Sequence, residues 1–457
     1  MQRSGREVVA LDRDGLLALI AELHAVISHQ EATIAQREAI IGDLTQRIQE
    51  LEARLSGRGG PTGMPGLKPT SSKRPPRKTE RKPRPQGYAR RRATPTDRVE
   101  HRLDKCPECD TPLTGGSVHH TREVIDIPVA PAKVVEHVYI VRECPICRKR
   151  RVPKVELEGE VVGHQRLGIN LMSLIATLRE EARLPVRSIQ KYLRTFHQLD
   201  LSVGAIVDVC QRVAAKAKGA VERIRDRIRI SAVVHGDETG WRQDGANGYV
   251  WTFSTLGLRY FRWGNRAKEM IDKILGEGCL ASLVSDFYAA YNHYTGLKQR
   301  CWSHLLRDIH DLTVAYPDDA GLGQWAQAVH ALYAEAKAFT NPDQAARCSA
   351  QLQMEQRLLD LCRPFLDEPA VAQAKLCRRI ERFIKELFVF VADPAVPSDN
   401  NAAERSLRHL VTIRKISGGT RSAKGTETRM TLASLFGTWR VQDINPFFQC
   451  RLLLSSP

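Results

Sequence analysis

The sequence predicts a multidomain α+β protein: an N-terminal coiled coil, a small ribbon-like domain with paired cysteines, a helical region, and an α/β core carrying an α-helical insertion. Three observations predict it. Apolar residues keep a heptad spacing over residues 16–56, two Cys-x-x-Cys pairs follow a basic linker, and the hydrophobic period changes from helical to strand-like near residue 231. A chain of 457 residues accommodates roughly two to four domains, and 42% hydrophobic content suffices for a core.

The coiled coil, residues 1–56, rests on Leu16, Ile20, Leu23, Ile27, Gln30, Ile34, Arg37, Ile41, Leu44, Ile48, Leu51 and Leu55, alternating at spacings of four and three. Isoleucine at five of six a positions and leucine at four of six d positions favour a parallel two-stranded coil. Gln30 and Arg37, polar at d, weaken the middle and help fix register. The competing reading is one amphipathic helix packed on its own domain; the length of the stripe favours self-association into a homo-oligomer.

Residues 57–100 read as a disordered linker, with eight prolines and, from Arg58 to Arg98, thirteen Lys/Arg against Glu80 and Asp97. That stretch carries +11 of the net charge of +17, so its expected work is sequence-independent attraction of phosphate. Clustered charge of this sign points to nucleic acid as partner. No secretory signal and no apolar run near the ~20 residues of a membrane span is legible, so a cytoplasmic, nucleoid-associated location is expected and a membrane role is not.

Residues 101–160 hold Cys106-Pro107-Glu108-Cys109 and Cys144-Pro145-Ile146-Cys147. Each pair is suited to bite one Zn²⁺ from a tight turn, giving a structural zinc site, and Lys133–Val141 alternates like a strand bridging them. Residues 161–230 have helical spacing. Segment 186–216 reads as two helices around a turn at Leu199–Gly204, which fits either a helix-turn-helix reader or a plain helical bundle.

From residue 231 the segments Ser231–Val234, Tyr249–Thr255 and Leu258–Trp263 read as strands, Ala267–Leu275 as a helix and Leu280–Ser285 as a further strand. This order matches the opening of a ribonuclease H-like fold. The core is expected over 231–440, with a helical insertion at 301–390 and a tail at 441–457. Asp237 closes one apolar run and Asp286 another, while Glu404 lies where a helix begins, behind Asp399-Asn400-Asn401, of which Asn400 and Asn401 read as helix caps or as supports behind the acids. Two acids at strand ends and one on a later helix suit a clamp of two Mg²⁺ or Mn²⁺ ions for phosphodiester chemistry, since hard cations take oxygen ligands. Asp237 would bridge both ions, with Asp286 holding one and Glu404 the other. The adjoining basic run Arg405, Arg408, Arg414 and Lys415 suits phosphate contact. Glu238 should face away from Asp237, as support or surface. Tyr288 and Tyr291 lack the basic cluster a tyrosine nucleophile needs, and Gly418–Gly425 has the wrong spacing for a phosphate loop.

The zipper and basic linker, the cysteine pairs, His235-Gly236-Asp237-Glu238-Thr239, Ser285-Asp286-Phe287-Tyr288-Ala289-Ala290-Tyr291, Cys301-Trp302-Ser303-His304 and Asp399-Asn400-Asn401-Ala402-Ala403-Glu404-Arg405-Ser406-Leu407-Arg408 together resemble the insertion sequence 66 family of transposases, within the DDE superfamily. The resemblance implies Asp237, Asp286 and Glu404 as catalytic triad, metal-dependent cleavage at element ends, strand transfer into target DNA, and accessory proteins from the same element. Cys301 and His304 keep the family's Cys-x-x-His pair. Ile416–Arg421 departs from the family's usual aromatic and small-residue loop. A catalytically silent DNA-binding derivative and another ribonuclease H-like nuclease remain the alternative readings.

Overall fold

The computed structural model describes scattered residues between 13 and 46, then residues 93–456 apart from 128, 129, 156, 158, 164 and 277. The chain divides into two compact units, Met1–Val124 and Ile125–Pro457.

In the first unit every described residue between 13 and 46 is helical. Ile20, Leu23, Ile27 and Ile34 of the heptad stripe are each about half exposed (48–55%), so no described residue of the single chain covers them. Leu16, Arg37 and the stripe beyond it lie outside the described residues, as does the linker through residue 92. Cys106 and Cys109 sit on a tight turn: Cys106 N–H donates to Thr111 O (2.9 Å) and Asp110 N–H to Cys106 O (2.9 Å), with Asp110 left-handed at φ 56°.

The second unit opens on an equivalent turn. Cys144 N–H donates to Lys149 O (3.0 Å), Arg148 N–H donates to Cys144 O (2.8 Å), and Arg148 has φ 54°. Two-residue strands β1 (Arg142–Glu143) and β2 (Arg150–Arg151) pair antiparallel across it. The strand expected at Lys133–Val141 does not form. The segment is irregular, and Val134 and Val138 are exposed, because no described strand lies alongside to accept its ladder.

Helices α1 (Ile169–Glu180), α2 (Val186–His197) and α3 (Val203–Arg229) follow. The turn between α2 and α3 lies at the expected place. Gln198 reverses the chain in the left-handed region, and the Ser202 hydroxyl caps α3 by accepting from Ala205 N–H (3.1 Å). α3 runs for 27 residues with apolar positions three and four apart. Its buried face, including Val209, Val213, Ala217 and Ile224, shares one continuous core with Val234, Trp251 and Phe253 of the sheet. The helical region is therefore packed into the α/β core.

The sheet has five strands in the order β5-β4-β3-β6-β7. β3 (Val233–Gln243), β4 (Ala246–Ser254) and β5 (Arg259–Gly264) form an antiparallel meander, its first hairpin joined by the Asp244-Gly245 turn. α4 (Glu269–Leu275) crosses over to β6 (Ser282–Ser285), which pairs parallel to β3; β7 (Lys298–Arg300) pairs parallel to β6. The succession along the chain, three strands, a helix and a further strand, is as expected, while the short fifth strand β7 was not foreseen. β3 also differs from expectation: it extends well beyond Asp237, because the meander continues the ladder after the parallel partner has ended.

The insertion comprises α5 (Trp302–Ala315), α6 (Ala320–Ala338), α7 (Gln344–Cys362), α8 (Ala374–Phe383) and short α9 (Val389–Ala392). It has its own core around Trp302, Trp325, Leu358, Cys377 and Phe388. The chain then returns through α10 (Asn401–Ser417), packed on one face of the sheet with Trp241, Val250 and Phe261, and α11 (Ala423–Val441), packed beside β5 and α3. Between these two helices Gly419 has φ 127°, and a Cβ there would stand 2.2 Å from the Arg242 carbonyl oxygen. That close approach lets Thr420 bond Arg242 O (2.9 Å) and Asp244 N–H (2.8 Å), extending the hairpin. The expected tail forms α12 (Pro446–Ser455), whose Cys450 and Leu454 are buried.

Where α1, α10 and α11 meet, Glu180 is fully buried against the Arg429 guanidinium, with His409 Nε2 3.7 Å away. Burial opposes ionisation of Glu180, but Arg429, His409 and Arg179 outweigh it and hold the carboxyl below its usual value. A depressed folded-state pKa contributes stability that is present above the unfolded value and lost as pH falls through the folded one. Glu180→Gln leaves Arg429 buried without its counter-charge, so a loss of about 3–5 kcal/mol is expected in urea unfolding at neutral pH. The gap between variant and wild type should narrow as pH is lowered below about 4.

Candidate active site

Register on β3 sets the site. Val233, Val234 and His235 pair with Ser282, Leu283 and Val284, so continuing the parallel register by two residues sets Asp237 level with Asp286. Neighbouring strands lie about 4.8 Å apart and side chains alternate, so both carboxylates emerge on one face where β6 stops. Asp286 then turns the chain: its carboxylate accepts from Tyr288 N–H (2.9 Å), and its carbonyl accepts from Arg300 (2.7 Å).

Glu404 arrives from α10. Asn400 at the head of that helix is buried, and its side chain caps nothing on the helix. Its Nδ2 donates to Gly236 O (2.7 Å), while its Oδ1 meets His235 Nδ1 (3.1 Å). Capping falls to Asp399, which accepts from Asn401 N–H (3.1 Å). Fourteen residues on, Arg414 donates to Thr239 Oγ1 (2.9 Å) and to Gly240 O. One helical turn from Asn400 to Glu404 rises about 6 Å, as do two strand residues from His235 to Asp237. Glu404 is thereby set beside Asp237.

The Asp237 carboxyl records this crowding. Burial first, then the charges of Glu238, Asp286 and Glu404, push its pKa up to about 8. Among the described residues no three His, Cys, Asp or Glu side chains close into a finished coordination shell. The donor set nevertheless fits a hard divalent cation: it is all carboxylate oxygen, and it carries excess negative charge with no lysine or arginine within ion-pair distance of Asp237 or Asp286 among the described residues.

Supporting residues surround the acids. Cys301 ties three segments together: its N–H donates to Ser285 O (2.9 Å), its Sγ accepts from Asn400 N–H (3.1 Å), and its carbonyl accepts from His304 N–H (3.2 Å). His304 Nε2 lies 3.7 Å from Glu404 Oε1, and its buried Nδ1 has no protein partner among the described residues. Glu238 takes the opposite face, as alternation requires. Its side chain is 2% exposed, bonded to Arg266 (2.8 Å) and to the Tyr291 hydroxyl (2.9 Å), so it is buried support. Gly236 leaves room for the Tyr291 ring on that face.

The predicted basic run divides. Arg405, Arg408 and Lys415 are exposed on α10 at near-helical spacing, and none has a carboxylate partner among the described residues. Arg414 is half-buried and spent on β3, at the Thr239 hydroxyl and the Gly240 carbonyl. The bonds of Asn400 to His235 and of Arg300 to Asp286 were outside the reach of sequence reasoning. An asparagine in a polar Asp-Asn-Asn run reads as a cap or a support without naming its partners, and an arginine in a short strand gives no periodic signal.

Each cysteine turn sits in its own unit and presents two thiols. The Cys109 thiol is held below its ordinary range by the Thr111 side chain, and Cys144 by the amides of Cys147 and Ile146. Two thiols alone do not complete a tetrahedral site.

The profile of the transposase IS66 family matches residues 164–428, more than half of the chain. The chain belongs to that family. The match spans α1 through the start of α11, and so includes Asp237, Asp286, Glu404 and the helical insertion. The mixed sheet flanked by helices is compatible with a DDE transposase core. A curated relative, uncharacterized protein y4jO of Sinorhizobium fredii (strain NBRC 101917 / NGR234), is 44% identical over 64 residues, or 14% of this chain and 20% of its own length. The chain thus spans about a fifth of that relative. No described helix of the transposase-family chain is long and apolar enough to cross a membrane.

Asn400→Ala removes both hydrogen bonds of the Asn400 side chain to β3 and leaves Gly236 O and His235 Nδ1 unpaired. A stability loss of about 1–3 kcal/mol in urea unfolding is expected.

Proposed function

We propose that this chain is an active transposase that cuts DNA at the ends of its element and joins the freed 3′-hydroxyl to target DNA, on a ribonuclease H-like core. The reading is supported chiefly by Asp237, Asp286 and Glu404, from strand, strand end and helix: the charges of Asp286 and Glu404 both raise the Asp237 pKa, and exposed cations lie on the helix that carries Glu404. Family membership supports it.

Asp237, Asp286 and Glu404 would hold two Mg²⁺ or Mn²⁺ ions. Bound there, such ions supply charge neutralisation at the phosphodiester and activation of the attacking oxygen. The protein's own part is positioning. Asn400 and His235 fix the head of α10 against β3, and Arg414 fixes its far end. His304, beside Glu404, orients that carboxylate. Arg405, Arg408 and Lys415 contact phosphate on the substrate. The chain acts on element ends and target as a homo-oligomer, joined through the exposed Ile20, Leu23, Ile27 and Ile34 stripe.

The test is cleavage of a duplex carrying candidate element ends with Mg²⁺ or Mn²⁺. Asp237→Asn, Asp286→Asn and Glu404→Gln should each lower the rate by at least about a hundredfold, near 3 kcal/mol of transition-state stabilisation, with DNA binding kept. Equal cutting by wild type and all three variants would reject the triad. Tight binding with no cutting by the wild type would favour the binding-only alternative.

We infer, separately, that Cys106 and Cys109, and Cys144 and Cys147, ligate structural Zn²⁺. Hydrogen bonds donated to a cysteine in each turn favour thiolate. Freshly purified protein should contain zinc, and Cys109→Ser with Cys147→Ser should lose it by elemental analysis. A wild type without zinc would reject this.

A further inference from the structure

Beyond the acids lies a second basic feature. On α8, Lys375, Arg378, Arg379 and Arg382 follow spacings of three and four and line one wall of a groove of about 390 Å³. Phe287 and Phe383 form its base, meeting edge to face at 5.6 Å. The rings are already covered by cations. Arg379 lies over Phe287 (4.6 Å), and Arg300 and Arg382 lie against Phe383 (4.8 and 5.2 Å). Arg379 is also paired with Asp308 (2.6 Å) and Arg300 with Glu386 (2.6 Å), so these two belong to the scaffold.

Lys375, Arg378 and Arg382 are exposed and have no carboxylate within ion-pair distance among the described residues. Arg378 makes one bond, to Leu366 O (3.2 Å). Glu381, the remaining charge of that helix, does not line the groove. A helix holding three free cations on one wall, with aromatic faces that are not open for stacking, is built to meet anionic charge.

We propose that this groove holds the phosphates of a DNA strand flanking the position that is cut. Lys375 to Arg382 spans about 10 Å of helix axis, and one strand of duplex DNA places a phosphate every 3.4 Å or so along its axis, so about three phosphates fit that span. The groove also lies beside the end of β6, with Arg300 buried between its lining and Asp286. Phe287 follows Asp286 directly, and Arg300 bonds both the Asp286 carbonyl (2.7 Å) and Asn292 of the groove lining (2.6 Å). A strand seated on α8 is thereby led to the end of β6. The helical insertion is then a second clamp on the substrate, separate in sequence from the cations of α10. The inference rests on the transposase reading, and its test is independent of cutting.

The test is equilibrium binding of a short, fluorescein-labelled duplex of random sequence, in buffer without Mg²⁺ or Mn²⁺, over a salt series. The combined variant Lys375→Gln, Arg378→Gln, Arg382→Gln should bind more weakly. Its slope of log affinity on log salt should be shallower than that of the wild type by roughly 2–3, near 0.9 for each phosphate that the variant no longer neutralises. A control with equal charge change elsewhere in the insertion, Lys337→Gln, Arg357→Gln, Arg363→Gln, should keep the wild-type slope. The charge-preserving variant Lys375→Arg, Arg378→Lys, Arg382→Lys should keep it too, with unchanged thermal unfolding in every case. A groove variant with the wild-type slope, or a control that falls as far, would overturn the groove while leaving the triad reading intact. A wild type that binds no duplex would overturn both.

Discussion

The site depends on how α10 is fastened to β3. Asn400 holds the helix at His235 and Gly236, and Arg414 holds it at Thr239 and Gly240. Two pins at opposite ends of a rigid helix fix its rotation and its slide together. The packing of Leu407, Leu410 and Ile413 on Trp241, Val250 and Phe261 supplies the apolar attraction, but such packing tolerates small shifts. Directional hydrogen bonds to the strand, two to its backbone and two to its side chains, do not, and the position of Glu404 relative to Asp237 follows from them.

That fastening has to oppose repulsion. Asp237 is part-buried and feels the charges of Glu238, Asp286 and Glu404, an arrangement that disfavours its ionised form in the bare protein. The surrounding structure offsets this with anchored supports. Glu238 is neutralised by Arg266, Asp286 has its backbone held by Arg300, and the Glu180–Arg429 pair locks α1 to α11 near α10. A raised carboxyl pKa at one locus, with paired charges around it, is the pattern that marks functional sites.

The insertion adds to this frame. It leaves the sheet after β7 and returns at α10, and both crossings pass through Cys301: its amide bonds Ser285 and its sulfur receives Asn400. A helical domain with its own core is thus hinged on the same residues that set the acids. Trp302 N–H bonding to Ser398 O (3.0 Å) closes the neck. The basic wall of α8 is held close to Asp286 by this neck and by Arg300.

Much of this was legible in the chain. Short-range patterns determined the heptad stripe, the strand-then-helix order from residue 231, the helical character of the insertion and both cysteine turns, because each depends on residues a few positions apart. The acids Asp237, Asp286 and Glu404 stood out for the same reason, being charged residues that end apolar runs or begin a helix. Lys133–Val141 shows the limit: its alternation is that of a strand, but a strand needs a neighbour, and alternation names none. Asn400 shows it again: a supporting role was legible beside that of a cap, but its partners lie 165 and 164 positions away and no local rule names them. Tertiary structure alone decided that Asp237 lies within a longer strand, that Arg414 serves β3, and that α8 turns its cations toward the groove beside Asp286. Those outcomes depend on which distant surfaces exclude water together, and a linear spacing does not encode that pairing.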